Sequence, residues 1–197
     1  MMRTQADCGS EKEQGSSLTR EMLETRTILL SGSIDDRLAE KVVSQLLVLD
    51  SRDNQAPITL IINSGGGSIS SGFAIYDTIK FVKAPIRTIG TGLIASMGVT
   101  IFLAAPTARR FSFPNSRFMI HQPLISGTVV APASDVEINA REMIKLRDRL
   151  NSLIATASGK ELAKVEKDTQ RDYWMNADEA MKYGIVGAII QTSDELD

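Results

Sequence analysis

Short apolar, β-branched runs alternate along this chain with stretches of helical spacing, and that alternation restricts the fold more than any other feature. Thr27-Ile28-Leu29-Leu30-Ser31-Gly32, Ile58-Thr59-Leu60-Ile61-Ile62-Asn63, Pro85 to Ile89 and Arg117 to Ile120 each read as a buried strand closed by turn residues. Between them, Asp35 to Leu49 carries Leu38, Val42, Val43, Leu46 and Leu47 at helical spacing, and Ser70 to Val82 and Ser96 to Ala105 also read as helices. Strands separated by helices imply parallel pairing through crossovers, so an α/β layer fold with a mostly parallel sheet is expected. At 197 residues the chain is long enough for one well-buried core.

The second half is organised differently. Ser134-Asp135-Val136-Glu137 has the capping-box form, and the helical pattern then runs to Ser158, with Val136, Ala140, Met143, Ile144, Leu150, Leu153 and Ile154 on one side. Gly159 is a natural stop. A helix over about 134–158 is longer than a domain of this size needs to cover its sheet, so it is expected to project and bury its stripe against another subunit. Asn176-Ala177-Asp178-Glu179 repeats the capping pattern before a short helix ending at Gly184, and Ile185 to Ile190 reads as a final strand. Residues 1–17 read as a flexible polar segment, and 18–197 as a single domain without internal repeats.

Composition removes several classes of function. A net charge of -2 offers no basic footprint for nucleic acid. Gly92 to Ala105 is too short for a membrane span and is broken by Ser96, Gly98 and Thr100. Met1 to Arg20 lacks an apolar signal core, and the single cysteine, Cys8, has no internal disulfide partner. A cytoplasmic location is expected.

Chemistry centres on the only histidine. His121 lies in Arg117-Phe118-Met119-Ile120-His121-Gln122-Pro123, downstream of Gly92-Leu93-Ile94-Ala95-Ser96-Met97-Gly98. Imidazole is the ordinary side chain that titrates near neutral pH, and a serine hydroxyl needs such a base to become a useful nucleophile. A lone His is more often structural, and a Ser before a helix is more often a cap; the two together, beside a glycine run, point to catalysis. Asn63-Ser64-Gly65-Gly66-Gly67-Ser68 sits between a strand and a helix, where bare backbone serves either a phosphate or an oxyanion. No Gly-Lys-Ser/Thr follows, so the phosphate-loop pattern fails. Gly90-Thr91-Gly92-Leu93-Ile94-Ala95 fits G-x-G-x-x-A, but no acidic residue occurs between Gly98 and Ser134 to hold a ribose. Read as a nucleophile site, Ser96 opens a buried helix, and the N–H groups of Met97 and Gly67 are candidate oxyanion donors. A third group must orient the imidazole, and Asp135, Asp148, Asp168, Asp172 and Asp178, among several glutamates, remain open on spacing alone.

Four separated segments together carry a family resemblance. Ile62-Asn63-Ser64-Gly65-Gly66-Gly67, Ala95-Ser96-Met97-Gly98, Pro114 to Pro123 and Asp168-Thr169-Gln170-Arg171-Asp172 resemble the signatures of the ClpP family, the proteolytic subunits of the Clp protease. The resemblance runs in order from about Leu18 to Ile190. It implies Ser96 as nucleophile, His121 as base, Asp172 as the orienting carboxylate, and Gly67 and Met97 as oxyanion donors. Arg171 matches a position that couples ring–ring contacts to triad alignment. The implied fold is the β-α superhelix shared with crotonases, with the helix from Ser134 as a projecting handle. The implied assembly is two stacked seven-membered rings, homomeric or mixed with a paralogue, fed with unfolded polypeptide by an AAA+ Clp unfoldase. No cofactor or metal is implied, since ATP is used by the partner. A regulatory ring subunit and a crotonase-like acyl-CoA enzyme are the rival readings; the intact Ser96, His121 and Asp172 disfavour both full inactivity and the latter.

The chain also departs from the family. Ser64-Gly65-Gly66-Gly67 stands where Ser-Pro-Gly-Gly is usual, and the turn after Leu124 is about two residues longer. Thr59 and Ile61 replace aromatics that many members use to dock the ATPase, while Phe81 is kept. Residues before Ser17 do not resemble the family's axial hairpin. Weak docking of an unfoldase by a lone homomeric ring is therefore expected.

Overall fold

A computed structural model describes residues 18–124 and 130–196. The proposed flexible segment 1–17, with Cys8, and most of the longer turn after Leu124 lie outside the described residues. The first three parallel strands are β1 (Thr27–Ser31), β2 (Ile58–Ser64) and β3 (Ile86–Ala95), with α1 (Asp36–Arg52) and α2 (Ile69–Phe81) as crossovers. Ile28, Leu30, Ile58, Leu60 and Ile62 are buried against Val42, Leu46 and Leu49 of α1 and Ile75 and Ile79 of α2, which is the expected layer arrangement. Asp35 caps α1 through Leu38 N, and Ser68 caps α2 through Ser71 N.

β3 is the branch point of the sheet. It runs through the Gly90-Thr91-Gly92 segment instead of ending at Ile89, because Gly92 takes a φ of +60° and Asn63 Oδ1 accepts the Leu93 N–H at 3.2 Å. This bend sends the two halves of the strand to different partners. Residues Thr88 to Gly90 pair with β4 (Arg110–Ser112), and Leu93 to Ala95 pair with β5 (Arg117–Ile120). Between β3 and β4 lies the short buried helix α3 (Met97–Phe102).

The long helix α4 (Ala133–Ser158) is present over the expected span and ends at left-handed Gly159. The capping box expected at Ser134 does not form. The cap lies two residues earlier, at Pro132, so the helix begins at Ala133 and its cap makes no side-chain hydrogen bond. Only the C-terminal part of its stripe is buried in the chain, at Leu150 and Ile154, while Val136 and Ile144 are exposed. After α5 (Leu162–Asp168), β6 (Tyr173–Asn176) returns antiparallel to β5, α6 (Ala177–Tyr183) follows, and β7 (Ala188–Ile189) closes on β4. The second capping box, Asn176 with Glu179, forms as its sequence predicts. The final strand is only two residues of the expected six, since Gly184 to Gly187 are spent meeting Arg110. That buried arginine donates to the carbonyls of Ala105, Ala157, Gly184 and Ile185, tying three chain segments behind the sheet.

Candidate active site

Ser96 occupies the one-residue joint between β3 and α3 and has φ +55° and ψ -123°. A non-glycine residue in this region costs on the order of 1–3 kcal/mol and persists only where its surroundings impose it. Here the Ser96 N–H donates to Met119 O at 2.9 Å, and its carbonyl accepts from Val99 N at 3.0 Å. The sharp strand-to-helix joint is therefore held on both sides, and it presents Oγ at the helix start.

The glycine run explains itself against this serine. Gly66 has φ +98°, and a Cβ there would lie 2.7 Å from Ser96 Cβ and 3.1 Å from Ser96 Oγ. Gly67 is also left-handed, and a Cβ on it would strike the Ile34 carbonyl. The loop is stitched to the turn after β1. Ile34 N donates to Gly66 O at 2.9 Å, Ser68 N donates to Ile34 O at 2.7 Å, and Ser64 Oγ bridges Gly32 O at 2.6 Å and Gly66 N at 3.1 Å. Gly65, the departure from the usual proline, is not left-handed, and a Cβ on it would only touch Leu93. Neither the Gly67 nor the Met97 N–H is consumed by a hydrogen bond among the described residues, which leaves a donor on each segment flanking Ser96.

His121 follows β5, and Asp172 precedes β6. The antiparallel register pairs Ile120 with Tyr173, so His121 and Asp172 are the next pair beyond the ladder. His121 Nε2 lies 2.9 Å from Ser96 Oγ, and Nδ1 lies 3.1 Å from Asp172 Oδ1. The histidine side chain is 17% exposed and the aspartate 59%. The other aspartates that spacing left open are occupied or displaced. Asp148 pairs with Arg147, Asp168 accepts from Lys164 and Tyr183, and Asp135 and Asp178 lie in the first turns of α4 and α6. Arg171 borders an open groove with His121, Gln122 and Asp172 and makes no ion pair among the described residues. No group of three or more His, Cys, Asp or Glu suited to a metal occurs among them either.

Beside Ser96 and His121 is a small pocket walled by Ile69, Met97, Ile120, Pro123, Leu150 and Ile154, with Thr100 as its polar member. Sequence reasoning missed this pocket. Leu150 and Ile154 carried a signal, the i, i+4 spacing on α4, but it pointed to a subunit contact as readily as to a pocket wall. An oriented Ser–His–carboxylate line, two free N–H donors and an apolar recess constitute the parts of an acyl-transfer site.

A family model described as Clp protease matches residues 10–193. The chain belongs to the Clp protease family. It is 47% identical over 188 residues to the ATP-dependent Clp protease proteolytic subunit 2 of Treponema pallidum, covering 95% of this chain and 94% of that protein. It is 43% identical over 192 residues to the proteolytic subunit 3 of Rhizobium etli, covering 98% and 97%. Among solved structures, a mutant of ClpP1 from Listeria monocytogenes superposes with a TM-score of 0.83 at 47% identity, covering 91% of this chain and 99% of that one. The fold is that of a Clp peptidase, with the ClpP/crotonase-like sheet and handle helix that the motifs implied, and the protein is a proteolytic enzyme of this family.

Proposed function

We propose that this Clp peptidase cleaves polypeptides through an acyl-enzyme on Ser96. His121 Nε2 takes the Ser96 Oγ proton as the oxygen attacks the scissile carbonyl carbon. The resulting oxyanion accepts hydrogen bonds from the N–H groups of Gly67 and Met97. The imidazolium then gives its proton to the leaving amine as the C–N bond breaks. Water, deprotonated by His121, hydrolyses the ester and restores Ser96. Asp172 holds the imidazole with Nδ1 protonated and offsets its transient charge. The observation that carries this reading is the 2.9 Å and 3.1 Å line from Ser96 through His121 to Asp172, built on a left-handed serine. The apolar recess favours a hydrophobic residue on the acyl side of the cleaved bond.

The same reading assigns residues 18–197 to one protease domain, needs no cofactor in this chain, and places the enzyme in the cytoplasm. It assigns α4 to the contact between two stacked seven-membered rings, with Arg171 coupling that contact to the triad. Exposed Val136, Ile138 and Ile144 on the projecting part of α4 support the assembly. The decisive test is a fluorophosphonate, which is expected to label Ser96 alone. Ser96→Ala and His121→Ala should each lower peptidase turnover by about 10⁶, since such residues act as a unit. Labelling elsewhere, or an active variant, would sink the assignment.

One observation favours a partner-dependent ring. Thr59 is buried, and its hydroxyl accepts from Arg87 Nε at 2.8 Å, so this position offers no aromatic anchor, and Phe81 is left exposed by itself. Hot spots of docking are enriched in large aromatic and arginine side chains. ATP-dependent degradation of a folded, tagged substrate should therefore be slow with this subunit alone and rise when a paralogous ring is added. Robust degradation by the lone subunit with its cognate AAA+ unfoldase removes the mixed-ring reading.

A further inference from the structure

Asp172 reaches the imidazole without a second hydrogen bond of its own among the described residues, and more than half of its side chain is exposed. Its placement must come from the chain that carries it. The β5–β6 ladder ends at Ile120 and Tyr173, one residue short of the pair that matters. Beyond that end a second set of bonds takes over. Gln122 N donates to Thr169 O at 2.7 Å, and Gln122 Nε2 donates to Gln170 O at 3.0 Å. The residue after the base is thus fastened twice to the segment that leads into the carboxylate. Thr169 is in turn fastened to α4, with its Oγ1 2.9 Å from Asn151 Oδ1 and 2.9 Å from Val165 O.

We propose that Asn151 and Thr169 are positioning residues, a clamp whose side-chain bond anchors to the long helix the His121 and Asp172 segments that Gln122 joins. The proposal rests on the triad reading given above. Both residues are almost wholly buried, at 2% and 1% exposure. Burying a polar pair is costly unless it is bonded, and two aliphatic groups of the same shape would serve packing equally well. A bonded Asn–Thr pair at this point is accounted for by the direction it imposes on the chain. A cavity of about 200 Å³ lies against the clamp, lined by Gln122, Arg147, Asn151, Glu166, Thr169 and Gln170. Its walls are polar, so water entering it can satisfy groups released by a substitution. The clamp can therefore loosen while the domain stays folded.

The test uses the full chain and four variants, Asn151→Ala, Thr169→Val, Thr169→Ser and Ser96→Ala, with a fluorogenic peptide, fluorophosphonate labelling and sedimentation. A misplacement of about 1 Å at a catalytic group costs as much as ~10²-fold in rate. Asn151→Ala and Thr169→Val are expected to lower kcat by about 10- to 100-fold. KM and particle size should stay as in the parent, and labelling should slow in proportion to kcat. Thr169→Ser keeps the hydroxyl and should recover most of the lost rate. Parental kcat in both Asn151→Ala and Thr169→Val, beside an inert Ser96→Ala, overturns the positioning role alone. So does a loss that follows the disappearance of assembled particles, or a Thr169→Ser variant as slow as Thr169→Val. An active Ser96→Ala overturns the triad reading itself. If Asn151→Ala does not fold, the two Thr169 variants decide the matter.

Discussion

The two halves of the site are built on different principles. The nucleophile half lies at the centre of the parallel sheet. Ser96, Gly66 and Ser68 are held by backbone bonds to Met119 and Ile34, and Gly66 and Gly67 leave no room for a side chain. The carboxylate half lies at the margin, where a two-strand antiparallel extension ends and Asp172 is 59% exposed with one hydrogen-bond partner among the described residues. The first half is a consequence of folding the chain. The second half depends on a few side-chain bonds and on a helix whose outer part is uncovered, so it is the half that changes in the surroundings will reach.

The difference between the halves is greatest at the two neighbouring carboxylates. Asp172→Asn should reduce turnover by about 10⁴, the usual cost of losing the orienting carboxylate, with the melting temperature nearly unchanged. Asp168 is engaged with Lys164 and Tyr183, so Asp168→Asn should lower the melting temperature and spare most of the turnover. Equal kinetic effects at the two positions would show that the margin is not organised around Asp172.

A smaller but more revealing effect is expected at the outer half of α4. Ile144 is half exposed, and glutamate there would place an unpaired charge in any apolar subunit contact, which is costly. Ile144→Glu should give smaller particles by sedimentation and reduced peptidase activity, with the far-UV spectrum of the folded domain preserved. A full-size, fully active particle would remove α4 from the assembly and with it the dependence of the carboxylate half on neighbours.

The smallest effect concerns the support behind Asp168. Burial, reinforced by the hydrogen bond to Asp168, raises the Tyr183 phenol above its ordinary range. The folded state then holds this proton more tightly than the unfolded chain does. Its stabilising contribution is fully present below the unfolded pKa of about 10 and is lost as pH rises beyond it toward the folded value. Tyr183→Phe should lower stability at neutral pH by about 1 kcal/mol, the net worth of a hydrogen bond. It should also flatten the alkaline fall in melting temperature. An alkaline fall as steep as the parent's would show that another group titrates there.

Much of the nucleophile half is legible in the sequence because its constraints are local. The strand–helix alternation, the glycines and the Ala-Ser-Met-Gly joint all act between residues close along the chain or in adjacent strands. The run at Gly90-Thr91-Gly92 misleads for the same reason. Its glycines read as a turn, while in the fold the neighbouring Asn63 side chain carries β3 through them. The capping box at Ser134 also fails, since Pro132 already sets the start of α4 and leaves Ser134 inside the first turn.

The α/β class, the family, the single possible imidazole and the glycine-lined serine are all written in the chain, because periodicity, φ preference, motif order and residue uniqueness are properties of its sequence. The family motif around Arg171 singled out Asp172, while the contact that brings it to His121, the walling of the recess beside Ser96 by Leu150 and Ile154, and the joining of the long helix to the triad segments by Asn151 and Thr169 emerge in the folded chain. Spacing alone left the aspartates open and singled out neither the recess nor the Asn151–Thr169 bond. Contacts across 51 residues between His121 and Asp172, or 18 between Asn151 and Thr169, are set by strand register and helix packing, which no local pattern encodes.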